Sequence, residues 1–117
     1  MAARKLPKTK NHKVSLKAAA KLTERHRQAV TKRNRGKNAK LGSGELGGLF
    51  HKDAVAELLA HPEAAYMRFY YGTTTKGERS LVLVASDAAG NDLAATEMDN
   101  HLPCPPFCPP TESLLRG

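Results

Sequence analysis

The sequence predicts an α+β protein: one or two helices packed on a small antiparallel sheet, with a basic N-terminal arm and a proline-rich C-terminal tail. Three observations predict it. Phe50, Ala54, Val55, Leu58 and Leu59 recur at the spacing of one helix face. Ser80–Ser86 (SLVLVAS) is an apolar run of strand length. Between them lies Ala65–Tyr71 (AYMRFYY), rich in β-forming aromatics, and Gly72–Glu78 (GTTTKGE) has the composition of a turn. Two strand-like segments joined by a turn make an antiparallel hairpin. A chain of 117 residues has room for one small domain.

The elements follow in order. Residues 1–14 are a basic arm with little apolar content, expected to be disordered when unbound. Ser15 is a good helix N-cap, because its hydroxyl accepts an early backbone N–H. Leu16, Ala19, Ala20, Thr23, Arg27 and Val30 then recur at helical spacing, which predicts a helix from about Leu16 to Arg33, the basic helix of residues 15–35. Residues 36–44 are a linker of Gly, Asn, Lys and Ser. The body spans 45–98. Its helix ends at Pro62, which cannot continue the hydrogen-bond ladder. Ser80–Ser86 is apolar on both faces and therefore a central, covered strand. Asp87–Asn91 (DAAGN) is a second turn, and Asp92–Met98 is a third, shorter strand or a loop. Residues 99–117 hold five of the seven prolines and cannot be regular throughout.

The predicted core comprises Phe50, Val55, Leu58, Leu59, Met67, Phe69, Tyr71 and Leu81–Val84. Alternation along the first strand sets Phe69 and Tyr71 on one face and Arg68 and Tyr70 on the other. At least half of the aromatic group must then be core. Exposed aromatics beside a basic arm would suit base stacking, but the RNP1 pattern is absent.

Charge divides the chain. Residues 1–40 hold fourteen of the nineteen Lys and Arg and a single acid, Glu24, a net of +13. Residues 41–117 carry five bases and ten acids, a net of −5. The overall +8 therefore describes a basic arm on a mildly acidic body. Such asymmetry points to nucleic acid or another polyanion. The phosphate-contacting candidates are Lys10, Lys13, Lys17, Lys21, Arg25, Arg27, Lys32, Arg33, Arg35, Lys37 and Lys40. The bland alternatives are a solvated tail, or an arm folded onto its own acidic body. No apolar run follows the basic N-terminus, and none approaches a membrane span, so a cytoplasmic location is expected.

The tail holds His101-Leu-Pro-Cys104-Pro-Pro-Phe-Cys108-Pro-Pro. His101, Cys104 and Cys108 are candidate ligands for zinc or another thiophilic ion. A closed structural site needs about four ligands, so His51, His61 or a second chain would supply the last. A Cys104–Cys108 disulfide and a pair of free thiols in a rigid tail are the alternatives. Motifs of enzymes are missing: there is no G-x-S-x-G, no GxxxxGK[ST] and no HExxH. Gly44–Gly48 (GELGG) follows no predicted strand, which argues against phosphate cradling. His51 and Asp53 suit a helix start, and Asp87–Asp92 suits a turn better than a calcium loop.

Four segments together resemble a known group. They are Val14–Arg27 (VSLKAAAKLTERHR), the helix ending Leu58-Leu-Ala-His-Pro62, Tyr70-Tyr-Gly with Ser80-Leu-Val-Leu-Val and Asp87-Ala-Ala-Gly-Asn-Asp92, and Cys104-Pro-Pro-Phe-Cys108. The set is similar to a group of small uncharacterised Bacteroidetes proteins with a D-x-x-G-N-D turn and a C-terminal CPPxC-like tail. The likeness spans about three quarters of the chain. It implies a shared small α+β body and a cytoplasmic bacterial setting, and it implies no activity. Where that group tends to carry acids after its leading "SL", this chain has Lys17 and Ala18. The polyanion reading therefore stands on this chain's own charge.

These observations favour a small non-enzymatic binding or adaptor protein whose basic arm contacts nucleic acid or another polyanion. The alternative is a protein-interaction or assembly module, self-association included, stabilised by its Cys/Pro tail and with or without a bound metal.

Overall fold

Leu16–Arg33 forms the long helix, α1, with the bounds predicted. Ser15 caps it: its Oγ accepts the Ala18 amide at 3.0 Å and its carbonyl accepts the Ala19 amide at 2.9 Å. Lys32 and Arg33 close the last turn, where cations suit the helix dipole. The remaining elements are β1 (Gly47–Leu49), α2 (Lys52–Leu59), β2 (Tyr66–Thr73), β3 (Arg79–Ser86) and β4 (Leu102–Cys104). This is an α+β fold of two helices and two small antiparallel sheets, β1–β4 and β2–β3. The computed structural model describes residues 5–33, 42–99 and 101–115. They fall into two compact units.

The first unit gathers residues 5–12, Phe50–Gly72 and 81–99. His51 caps α2, its Nδ1 accepting the Asp53 amide at 3.1 Å, and Asp53 sits in the first turn. Leu58 is the buried residue of α2. It packs with Leu83 and Ala85 of β3, and Phe50, Val55, Ala64, Leu81, Leu93 and Met98 close around them. β3 is covered as predicted, with Leu83–Ser86 all buried. Its far edge is met by Asp92–Met98. That segment makes two isolated antiparallel bridges, Leu83↔Met98 and Ser86↔Asp92, and is a loop. Ala95 at φ +69° turns the chain away from the ladder between them. The Thr96 hydroxyl then takes the Ala85 amide at 3.0 Å, the place a strand carbonyl would fill.

The second unit gathers 13–49, Thr73–Ser80 and 101–115. The hairpin tip lies here, closed by Thr74 N–H to the Glu78 carbonyl at 2.8 Å and by Gly77 at φ +82°. β1 pairs with β4 in the register Gly47↔Cys104, Gly48↔Pro103, Leu49↔Leu102. Two further bonds extend the pairing, Leu46 N–H to the Cys104 carbonyl and Gly44 N–H to the Pro105 carbonyl, both 2.9 Å. The sequence offered no sign of this sheet. Each strand is three residues long, and glycine and proline are poor strand formers. Gly44 lies at φ +74°, and a Cβ there would come within 2.8 Å of the Arg79 carbonyl oxygen. At Gly48 a side chain would collide with the His101 ring, so the absence of one lets β4 approach.

The predicted core needs correction. Met67, Phe69 and Tyr71 are exposed, as are Tyr66, Tyr70 and Leu59. The alternation holds, since Phe69 and Tyr71 touch edge to face with centroids 5.7 Å apart. The face they share is nonetheless solvent-exposed. The aromatic strand is the edge of a two-stranded sheet, and the covering contacts go to β3.

Candidate nucleic-acid interface

The packed and charged faces of α1 are segregated. Ala19, Ala20, Thr23, His26, Arg27 and Val30 are the residues sheltered from solvent, and Val30 is fully buried. They recur at i, i+4, i+7 and i+8 and so share one face. Lys17, Lys21, Arg25 and Lys32 are all exposed. At ~100° per residue they fall within about a quarter of the circumference, opposite the sheltered face. The stripe runs roughly 22 Å along the axis at ~1.5 Å per residue. Gln28 lies within it and Glu24, the one acid of the helix, at its margin, where the Glu24 carboxylate accepts the Gln28 side-chain amide at 3.3 Å.

The sheltered face is anchored within its own unit. His26 Nε2 lies 2.6 Å from the Glu45 carbonyl oxygen. Arg33 pairs with the Glu45 carboxylate at 3.2 Å. Arg27 donates to the Leu115 carbonyl at 2.7 Å and to Thr23 Oγ1 at 3.4 Å. Glu45 also accepts the Gly42 amide. The helix is thereby held with its basic stripe outward.

The structure thus sorts the predicted basic residues. Lys17, Lys21, Arg25 and Lys32 form the outward stripe. Lys13 is exposed just before the helix, and Lys10 is exposed within residues 5–15, which have neither helix nor strand. Arg27 and Arg33 are engaged in internal contacts. Arg35, Lys37 and Lys40, with most of the predicted linker, lie outside the described residues.

In the tail, Cys104 and Cys108 are joined as a disulfide with Cα atoms 4.6 Å apart. Cys104 is buried and is the last residue of β4. The Cys104–Pro105 and Pro105–Pro106 peptide bonds are cis. Among the described residues no group of three or more His, Cys, Asp or Glu gathers so as to hold a metal. His101 sits instead against Gly44 and Gly48.

A second polar cluster was not foreseen. Asp92 accepts from Ser86 Oγ at 2.8 Å, from Arg68 Nη1 at 3.0 Å and from the Tyr70 hydroxyl. The Tyr70 bond, the Ser86 bond and the Arg68 charge hold its carboxyl below the usual carboxylate value. Asp87 is lowered too, chiefly by the Asn91 amide, with Ala89 and Gly90 adding to it. Both acids of the Asp87–Asp92 turn are therefore spent on backbone and strand contacts. Arg68 and Asp92 are 24 residues apart, and no local pattern in the chain announces their pairing.

Among the described residues no helix is long and apolar enough to cross a membrane. No family model, no curated protein and no solved structure matches the chain.

Proposed function

We propose that this chain is a small non-enzymatic binding protein that contacts nucleic acid, or another polyanion of similar charge density, through the exposed stripe Lys17, Lys21, Arg25 and Lys32 of α1. The single observation that carries this reading is the segregation just described. A helix anchored by His26, Arg27 and Arg33 presents four cations on its opposite side. Contacts of this kind neutralise phosphates and position a partner, but they read no base sequence. The predicted group resemblance and cytoplasmic setting belong to the same proposal.

The test is binding of a labelled duplex and a labelled single strand to the full chain across a salt series. The comparison is a variant with Lys17, Lys21, Arg25 and Lys32 all changed to Gln. The full chain binds with a log–log salt slope of about −3 to −4, near one per neutralised phosphate. The variant loses most of both affinity and slope while keeping its helical circular dichroism. Absence of binding by the full chain at low salt overturns the reading.

The metal reading of His101, Cys104 and Cys108 requires the thiolates that the disulfide removes. It applies to reduced protein. Elemental analysis of reduced, zinc-replete chain tests it, and less than stoichiometric metal ends it. Thiol titration of protein made in a reducing cytosol decides whether the pair is bonded there.

A further inference from the structure

We propose that the Cys104–Cys108 pair is a redox switch on the polyanion site of α1, acting through Glu45. The inference rests on the binding role given above to Lys17, Lys21, Arg25 and Lys32, and concerns its regulation. Every part of the coupling lies within the second unit. Glu45 sits between two backbone clamps. The Gly44 amide donates to the Pro105 carbonyl and the Leu46 amide to the Cys104 carbonyl, both at 2.9 Å. Both acceptors belong to the loop that the disulfide closes. From this position Glu45 holds the helix. Its carbonyl oxygen meets His26 Nε2 at 2.6 Å, and its carboxylate pairs with Arg33 at 3.2 Å. A second link follows the chain beyond Cys108, where the Leu115 carbonyl accepts from Arg27 at 2.7 Å. The disulfide loop therefore stands next to the groups that anchor α1.

The helix depends on those anchors. An isolated helix of this length is marginal in water, and α1 buries a single residue, Val30. With the loop opened, Glu45 loses its fixed place and α1 frays. A polyanion then finds the stripe assembled in only a fraction of molecules, which lowers apparent affinity by that fraction. The phosphate contacts themselves are unchanged, so the salt slope stays the same. The two sulfurs differ in access, since Cys104 is buried and Cys108 is half-buried. The reductant is a dithiol. One of its thiolates attacks Cys108 Sγ and forms a mixed disulfide, while the Cys104–Cys108 bond breaks and Cys104 leaves as thiolate. The second thiolate of the dithiol attacks its own half of the mixed disulfide, and Cys108 leaves. The dithiol ends as a disulfide, having given two electrons, and its two protons end on the cysteine thiols. Exchange with an oxidised dithiol runs the sequence backwards.

The test is binding of the labelled duplex across a salt series by the full chain, oxidised and after reduction with dithiothreitol. Hydrogen exchange is followed in both states. Reduction is expected to weaken binding about 3- to 30-fold at unchanged salt slope, the upper limit being what so short a closed loop contributes. Amides of α1 exchange faster, while those of Leu83 and Met98 stay protected. Cys108→Ser reproduces the reduced affinity and does not respond to dithiothreitol. Glu45→Ala removes the Arg33 pair and narrows the difference between the two states. Equal or tighter binding after reduction overturns the switch and leaves the binding role standing. Absence of binding in either state overturns both. A steeper slope after reduction would mean that the released Arg27 and Arg33 join the contact, and overturns the proposal. So does a redox difference that Glu45→Ala leaves intact, or loss of protection at Leu83 and Met98. Should Cys108→Ser fail to fold, the oxidised and reduced wild type still decide.

Discussion

Ser86 Oγ donates to Asp92 Oδ1 at 2.8 Å, and the same two residues form an antiparallel bridge between β3 and the loop after the second turn. Ser86 is fully buried, so Asp92 satisfies a hydroxyl that water cannot reach. Arg68 and Tyr70 reach the same carboxylate from β2. One acid thus ties the hairpin to the turn that follows it.

This cluster makes stability depend on acid. The Asp92 carboxyl is held below its unfolded value by the Tyr70, Ser86 and Arg68 contacts. A depressed folded pKa contributes stability above the unfolded pKa of about 3.9, and that contribution disappears as pH falls through the folded pKa. Thermal unfolding followed from pH 7 to pH 2 is expected to show Tm falling below about pH 4. Asp92→Asn lowers Tm at pH 7 and flattens the fall, leaving the part due to Asp87. Parallel wild-type and variant curves would refute the assignment.

Arg27 and the outward stripe should separate in function. Arg27 holds the Leu115 carbonyl, so Arg27→Gln is expected to speed hydrogen exchange in the C-terminal segment. The salt slope of nucleic-acid binding should change by less than about 0.5. A single Lys21→Gln change should lower the slope by about 0.7–0.9 and leave exchange in the tail unaltered. The reverse pattern would mean that the two faces of α1 are misassigned.

Gly44 is required for backbone reasons. Its φ of +74° disfavours any side chain, and a Cβ would crowd the Arg79 carbonyl oxygen at 2.8 Å. Gly44→Ala is expected to cost about 1–3 kcal/mol in denaturant unfolding. The first amides to lose protection should be Gly44 and Leu46, which bond to Pro105 and Cys104. A variant as stable as the wild type would show that the 42–46 segment adopts another conformation.

The disulfide staples the end of β4. By the loop-entropy relation, closing so short a loop contributes about 2 kcal/mol. Mild reduction is expected to raise hydrogen exchange at Leu46, whose amide bonds to the Cys104 carbonyl, and to leave Leu83 and Met98 protected. Uniform loss of protection across both units would instead make the staple a condition for folding the whole chain.

Much of the secondary structure was legible because it is written locally. The Ser15 cap and the helical spacing to Val30 mark α1, and an apolar run marks β3. The Asp87-Ala-Ala-Gly-Asn turn closes on its own first carboxylate, which accepts the Ala89 amide at 3.0 Å and the Asn91 amide at 2.9 Å. The candidate basic site was legible for the same reason, since charge and a period of 3.6 residues need no tertiary contact.

The sequence by itself determined the two helices, the hairpin, the covered strand and the concentration of cations ahead of the body. Tertiary structure alone decided three matters. It left the aromatic strand at the edge of its sheet, because burial depends on which elements find a face to cover and β3 received the cover. It paired Gly47–Leu49 with Leu102–Cys104, residues of low strand propensity brought together by contacts more than fifty positions apart. And it sorted the cations of α1 into anchors and an outward stripe, because only packing establishes which side of a helix is sheltered.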